Sequence, residues 1–464
     1  MRALLLGAAA LLLGLRPAAP AAPAPPPNVL FLFADDLRAD AVAALGHSVV
    51  QTPHLDRLVR RGLTFHRAYL QGGRNAATCV PSRAMLLSGR SLFDIDETLQ
   101  RHPTWPESFA AAGYTTFISG KWHNGDASLA RSFQIARSVF TGGMTNPLQA
   151  PLRDLENGQL SPPKISPQHA CATFADETIR FLNQPQAQPF FAYLPFDAPH
   201  DPHIVPPDFP VHYPPSAIPL PPNFLPQHPW DNGEMTIRDE LLLPWPRSPD
   251  GVRALLADYY RYISYLDSQI GRVLDALAAS PHAAHTLIVF SADSGVARGS
   301  HGLIGKQNLY EHSLRVPLVI AGPGIPEGQS TEALCYLFDL LPTLGKLCGV
   351  PGPATSQGLE FTATLRRPAQ PARPHLRFAY KDAQRAYTDG RYKLIRYPKI
   401  DRSQLFDLSA DPYEITNLAA QPAHAATLAS LTLQMQQEML RSGDACPLQV
   451  PRPTPADWTP PPHP

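Results

Sequence analysis

The chain has 464 residues, of which 54 are proline, 44% are hydrophobic and 17% are charged. That much apolar sequence excludes a disordered proline-rich chain, and 29 glycines are too few for a collagen repeat. Lys+Arg and Asp+Glu both number 39, so neither a basic nucleic-acid footprint nor an acidic tail is expected.

Residues 1–22 set one Arg before an apolar run that gives way to small residues, the pattern of a signal peptide. The run is too short for a bilayer anchor, so no membrane span is expected. Export to the periplasm or the extracellular space would place Cys79, Cys171, Cys335, Cys348 and Cys446 where thiols tend to pair. Their odd number leaves one unexplained. No Asn-x-Ser/Thr sequon occurs, which fits a bacterial exported protein.

Apolar runs at 29–33, 115–119, 190–196, 286–291 and 316–321 read as buried parallel strands. Helical patterns over 54–61, 107–112, 168–182 and 252–279 alternate with them. The expectation is an α/β domain over 28–350, with a large, mainly parallel sheet flanked by helices. Beyond 351 come shorter strands at 376–380, 385–388 and 392–397, a hairpin signal at Asp389-Gly390 and a helix over 423–440. They predict a smaller α+β subdomain over 351–445, followed by a proline-rich tail over 446–464. Cys335 and Cys348 fall in one helical pattern, too far apart on a continuous helix to bridge.

Sixteen of the prolines lie between 195 and 249, in an insertion that follows a predicted strand. Open α/β sheets bind ligands at that end of their strands, and long loops there are commonly functional. The insertion reads as a stiff wall beside the site, with Trp230, Arg238, Trp245 and Arg247 as substrate contacts.

Each of four predicted strands is followed by a polar cluster. These are Asp35-Asp36, Gly120-Lys121-Trp122-His123, Asp197-Ala198-Pro199-His200-Asp201-Pro202-His203 and Asp293-Ser294-Gly295. In a parallel sheet they share one edge and can converge. Any one alone is as well read as a capped turn. Together, three carboxylates need a cation, and oxygen ligands suit Ca²⁺ or Mg²⁺. Lys121 and Lys306 could clamp an anionic oxygen, while His123 and His200 could move protons. Such a group suits cleavage of an ester of a tetrahedral oxyanion.

Cys79-Val80-Pro81-Ser82-Arg83 places a thiol at a helix N-terminus, an end that lowers thiol pKa. A buried structural cysteine, a disulfide partner or a thiol nucleophile would each fit. The last matches a hard cation poorly.

Cys-x-Pro-Ser-Arg followed by Ser88-Gly89-Arg90 resembles the signature of the formylglycine-dependent sulfatases, of the alkaline-phosphatase-like superfamily. Residues 28–38 and 52–56 resemble the opening segments of iduronate-sulfatase-like and choline-sulfatase-like members. Similar too are Gly120-Lys121-Trp122-His123, His301-Gly302 with the run 305–311, and Leu405-Phe406-Asp407-Leu408 with Asp411-Pro412-Tyr413-Glu414. The resemblance runs from about Asn28 to Leu418.

It implies a sulfuric-ester hydrolase whose Cys79 a maturation enzyme oxidises to formylglycine. One hydroxyl of the hydrated aldehyde would attack sulfur, and loss of a proton from the second would collapse the adduct and release sulfate. By matching position, Asp35, Asp36 and Asp293 would bind Ca²⁺ or Mg²⁺ together with residue 79. Arg83 and Lys121 would hold formylglycine and sulfate, His123 would take the second hydroxyl's proton, His200 would assist the leaving oxygen, and Lys306 would bind sulfate. His203 is the alternative to His200. Ser294 departs from the family's usual His or Asn and stands as a direct or water-bridged ligand. The substrate expected is a sulfated small molecule or saccharide, with no nucleic-acid partner. Trp122 is read as packing and His301 as fixing its loop. A phosphonate or phosphodiester hydrolase of the same superfamily, or a non-catalytic glycan-binding relative suggested by Ser294, are the competing readings.

Overall fold

The computed structural model describes residues 25–461, and the predicted signal peptide lies outside the described residues. The main sheet has nine strands. Across it run Gln329–Thr331, Gly62–Tyr69, Arg315–Ala321, Thr286–Ala292, Asn28–Ala34, Phe190–Pro195, Thr115–Lys121 and Ile135–Phe140, with Cys335–Tyr336 also paired to Gly62–Tyr69. Asn28–Ala34 is central and parallel to both neighbours, and all seven of its residues are buried. A strand covered on both faces must be apolar throughout, as NVLFLFA nearly is.

The sheet is mainly parallel, as expected, but one strand is reversed. Arg315–Ala321 runs antiparallel to Thr286–Ala292 and to Gly62–Tyr69. Its apolar run announced burial but carries no information on direction. Gly62–Tyr69 and Ile135–Phe140 were not expected as strands. The first follows directly on the helix Pro53–Arg61, and its His66 and Arg67 break the apolar pattern.

Helices pack on the sheet as their periodicity predicts. The longest, Pro249–Ala279, has 31 residues and begins at Ser248, whose side chain accepts from Gly251 N–H at 3.1 Å. The preceding insertion is irregular apart from short 3₁₀ turns at Pro215–Ala217 and Arg238–Leu242.

A second sheet orders Arg402–Asp407, Tyr392–Tyr397, Gln384–Thr388, Leu376–Tyr380 and Gly72–Gly73. Its last member belongs to the N-terminal part of the chain, so this sheet grows out of the larger unit. Helix Ala425–Arg441 buries Leu431, Met435 and Met439 against Tyr387, Leu394 and Leu405. Arg377 and Arg385 then hold Asp444 at 2.7 and 2.8 Å. The tail packs as an arm, with Thr454 N–H donating to the Lys399 carbonyl at 2.8 Å.

All five cysteines are unpaired. Cys335 and Cys348 do not share a helix, because Cys335 lies in Cys335–Tyr336 and Cys348 ends the helix Leu340–Cys348. Among the described residues no helix is long and apolar enough to cross a membrane.

The ring of Phe31 lies 5.4 Å from Phe33 and 5.3 Å from Tyr193, with no solvent exposure. Phe31→Ala is expected to destabilise the protein by about 3–5 kcal/mol, read from urea unfolding followed by circular dichroism. A loss below about 1 kcal/mol would mean that this strand is not the packed centre.

Candidate active site

The strand ends deliver the site. Asp35 and Asp36 follow Asn28–Ala34, Lys121 ends Thr115–Lys121, His200 follows Phe190–Pro195, and Asp293 follows Thr286–Ala292. Backbone hydrogen bonds at this edge fix the register: Asp35 N–H donates to Ala198 O at 3.0 Å and Asp293 N–H to Ala34 O at 3.1 Å. Asp36 and His123 adopt left-handed φ of 64° and 66°, which turns their side chains at the close of each strand. Gly120, at φ 132°, lets the backbone pass: a Cβ there would sit 2.0 Å from the Pro195 carbonyl oxygen.

The carboxylates are tied together and to cations. Asp36 N–H donates to Asp293 Oδ1 at 3.1 Å. Arg83 Nε donates to Asp293 Oδ2 at 2.9 Å, its Nη1 donates to the Lys121 carbonyl at 2.9 Å, and its Nη2 lies 3.6 Å from Asp35 Oδ2. Lys121 Nζ donates to Asp35 Oδ2 and, at 2.5 Å, to the Gly143 carbonyl. Lys306 Nζ donates to Asp36 Oδ1 at 2.5 Å. Ser294 Oγ donates to the same oxygen at 2.9 Å, so its hydroxyl orients Asp36.

Cys79 is the first residue of helix Cys79–Ser88, and its Sγ lies 3.2 Å from His123 Nδ1. The expectation that the helix end lowers the thiol is overturned. Burial pushes Cys79 up to about 11, although Lys121 and Lys306 oppose the rise. Burial also lowers His123 to about 3, with Lys121 and Arg83 adding to the fall. The pair is a neutral thiol beside a neutral imidazole. At Asp293 burial raises the carboxyl to about 7, Asp35 adding to the rise and Arg83 opposing it. Burial pulls Asp35 upward as well, but Lys121, His200, Arg83 and Lys306 outweigh it and hold the carboxyl far below the usual range.

These residues also fit a cation. Ligand atoms of Asp35, Cys79 and Asp293 lie within 4.8 Å of one another, as do those of Asp35, Asp36 and His200. Asp35 Oδ1 is buried with no hydrogen-bond partner, an acceptor that a cation would satisfy. A donor set dominated by carboxylate oxygens matches a hard divalent ion.

Cys79, His123, His200, Lys306 and Arg238 all face one open cavity of about 240 Å³. His203 does not: it is buried against Arg298 and Tyr259 behind the wall. Trp230, Trp245 and Arg247 are corrected too. Trp230 packs edge-on against His228 and Tyr397, Trp245 packs against Trp458, and Arg247 is buried on Glu240. Within the proline-rich segment, His200 and the 237–239 stretch line the cavity, while these three side chains pack elsewhere. Trp122 packs edge-on against Phe133, and His301 stacks on Tyr310 while its Nε2 donates to Glu414 O at 2.9 Å.

Sequence reasoning missed Gly143, Met144, Ile237, Asp239 and Gln307, all of which face the cavity. Gly143 and Met144 follow strand Ile135–Phe140, so recognising that strand would have found them. Gly143 leaves room for His123, whose Nε2 would lie 2.7 Å from an added Cβ.

Residues 27–350 match the sulfatase family, and residues 299–441 match the C-terminal region of N-sulphoglucosamine sulphohydrolase. A sulfatase of Formosa agariphila is 28% identical over 85% of this chain and 83% of its own length. Iduronate 2-sulfatase of Mus musculus is 29% identical over 75% of this chain and 73% of its own. A solved structure of a 2-O GAG sulfatase superposes with a TM-score of 0.72 at 26% identity, covering 90% of this chain and 93% of that one. The match takes in the central strand, the Cys79 helix and the Asp293 and Lys306 loop; the chain belongs to the sulfatase family and is a sulfuric-ester hydrolase.

Proposed function

We propose that this is an exported sulfatase that removes sulfate from a sulfated carbohydrate, with residue 79 as formylglycine and a divalent cation, Ca²⁺ or Mg²⁺, on the carboxylates. The observation that carries the reading is the placing of Cys79 Sγ 3.2 Å from His123 Nδ1, above buried carboxylates and open to a cavity. The names of two similar proteins, iduronate 2-sulfatase and a 2-O GAG sulfatase, support the carbohydrate. Export rests on the N-terminal apolar run.

Formylglycine, made by a maturation enzyme, would supply an oxygen nucleophile that can also release sulfate by collapse, which a serine could not do. A cation held by Asp35, Asp36 and Asp293 would neutralise charge on sulfate oxygens and favour the ionised nucleophile. Arg83 bonds Asp293 and the Lys121 carbonyl and so keeps residue 79, Lys121 and the carboxylates in register. With the carboxylates engaged elsewhere, the amines of Lys121 and Lys306 are within reach of sulfate oxygens. His123 is neutral and can take a proton from residue 79 through Nδ1. His200 donates from Nδ1 to the Asp201 carbonyl at 2.7 Å, which turns Nε2 inward, where the ring in its protonated form would give the leaving oxygen its proton. Arg238, on the rim, is bound to Asp201 at 2.5 Å and stands where the sugar would enter.

Protein made together with a maturation enzyme should show formylglycine at residue 79 by mass spectrometry and release sulfate from a panel of sulfated saccharides. Cys79→Ala should lower that rate on the order of 10³-fold or more. Faster turnover of an aryl phosphodiester than of an aryl sulfate would instead favour the phosphodiester hydrolase, and no turnover of either by the aldehyde form would overturn the reading.

Asp293 also makes cation binding depend on pH. Its folded value of about 7 lies above the ordinary carboxylate value of about 3.9. Between those values the folded, cation-free protein holds a proton that the unfolded chain has lost. The stability of that form therefore falls as pH rises from about 4 to about 7. A cation must displace the same proton, so apparent Ca²⁺ affinity should rise about tenfold per pH unit up to about 7 and flatten above. Calorimetric titration between pH 5.5 and 8 checks this; an affinity independent of pH below 7 would remove Asp293 from the ligand set.

A further inference from the structure

Lys306 sits in the long connection between Thr286–Ala292 and Arg315–Ala321, which has no sheet partner of its own. Backbone groups in a buried loop need partners from elsewhere. The Glu240 carboxylate provides two that the loop does not make within itself: it accepts from Ile304 N–H at 2.9 Å and from Gly305 N–H at 2.8 Å. The peptide it grips leads directly into Lys306.

Glu240 is itself held. Arg247 Nη2 donates to Glu240 Oε2 at 2.6 Å and Nη1 donates to the Glu240 carbonyl at 2.9 Å. Both residues are buried, at 3% and 1% exposure, so neither charge is eased by solvent. The Trp245 ring lies 4.0 Å from the Arg247 guanidinium, and Trp458 of the C-terminal arm meets Trp245 edge-on at 5.2 Å. The arm is pinned to the same insertion, because Gln227 Nε2 donates to Trp458 O at 3.1 Å and Asp231 N–H to Ala456 O at 3.0 Å. On the other side of Glu240, Asp239 accepts from Gln307 Nε2 at 2.7 Å, so the 238–240 turn grips residues on both sides of Lys306.

We infer that Glu240 and Arg247 are positioning residues that set Lys306 for sulfate, and that Trp458 closes the C-terminal arm over them as a clasp. The inference rests on the sulfatase reading above. A buried ion pair adds little net stability over apolar packing of the same volume, and the two N–H groups that Glu240 accepts from need only a neutral acceptor, so folding does not call for these two charges. Placement does, because a displacement of about 1 Å in a group that contacts the reacting centre can cost on the order of 100-fold.

The test uses full-length Glu240→Gln and Trp458→Ala, with Met435→Ala as a control. Met435 is fully buried in the C-terminal helix cluster, away from this network, so its loss should lower Tm without moving Lys306. Three quantities are read: KM and kcat for a sulfate ester, the Kd for inorganic sulfate, and amide exchange over residues 303–309. Glu240→Gln is expected to raise KM and the sulfate Kd together by about tenfold and to speed exchange, with kcat less affected. Trp458→Ala should move all three the same way by a smaller factor, and Met435→Ala should move none. If both test variants lose Tm yet keep wild-type KM and sulfate Kd, the pair is structural and the inference is overturned. If wild-type protein turns over no sulfate ester but Glu240→Gln still weakens sulfate binding, the activity reading fails and the positioning role stands.

Discussion

Asp35 and Asp293 carry carboxyls with no exposure to solvent, and Asp36 is nearly as deep. Leaving such groups ionised and unpaired would cost several kcal/mol each. The three cations around them answer that constraint: Lys121 on Asp35, Lys306 on Asp36 and Arg83 on Asp293. Compensation remains unequal. Asp293 has Arg83 but also the field of Asp35, and it titrates near neutrality, whereas Asp35 stays ionised throughout. Asp35 Oδ1 still lacks a partner. A divalent ion held by these carboxylates would satisfy that oxygen and would leave the amines of Lys121 and Lys306 available to an anionic substrate.

The topology makes this convergence possible. Parallel strands bring Asp35, Lys121 and His200 to one edge in the way any doubly wound sheet would. The antiparallel return of Arg315–Ala321 adds something a purely parallel sheet could not. Because two antiparallel neighbours begin and end their connection at the same edge, the segment between residues 293 and 314 leaves and rejoins the sheet on the side of the site. Asp293 opens that connection and Lys306 lies within it, so one loop supplies a carboxylate and the cation for its neighbour. The cost is a run of backbone without a sheet partner, which bonds largely within itself and takes two acceptors from Glu240 of the insertion.

Much of this was legible in the sequence, for physical reasons. Strands buried on both faces are uniformly apolar, so Asn28–Ala34 and Thr286–Ala292 announce themselves, and the polar residues that follow must then lie at one edge. Ordered motifs around Cys79, Lys121 and Lys306 fixed the family. Strand direction was not legible, since it depends on the connection and not on composition. Nor was Ile135–Phe140, whose exposed Arg137 interrupts its apolar character, and with it Gly143 and Met144 were lost. The insertion misled most. Aromatic and arginine side chains in a loop beside a site look like substrate contacts. In a segment with little secondary structure the same residues can serve packing instead: Arg247 is buried on Glu240, and the half-buried Trp230 and Trp245 pack on Tyr397 and Trp458.

The electrostatics at residue 79 bear on which atom can attack. Between about pH 3, where His123 gains a proton, and about pH 11, where the Cys79 thiol loses one, both partners are neutral. An activated thiol needs the opposite arrangement, a thiolate held by an imidazolium. Burial prevents it here: the helix end and two lysines favour a thiolate, but desolvation outweighs them. The same surroundings suit an oxygen nucleophile. Hard cations favour oxygen over sulfur, and a neutral imidazole at 3.2 Å is already the form that accepts a proton. These charges agree with the proposal of an oxygen nucleophile, not a thiolate, at residue 79.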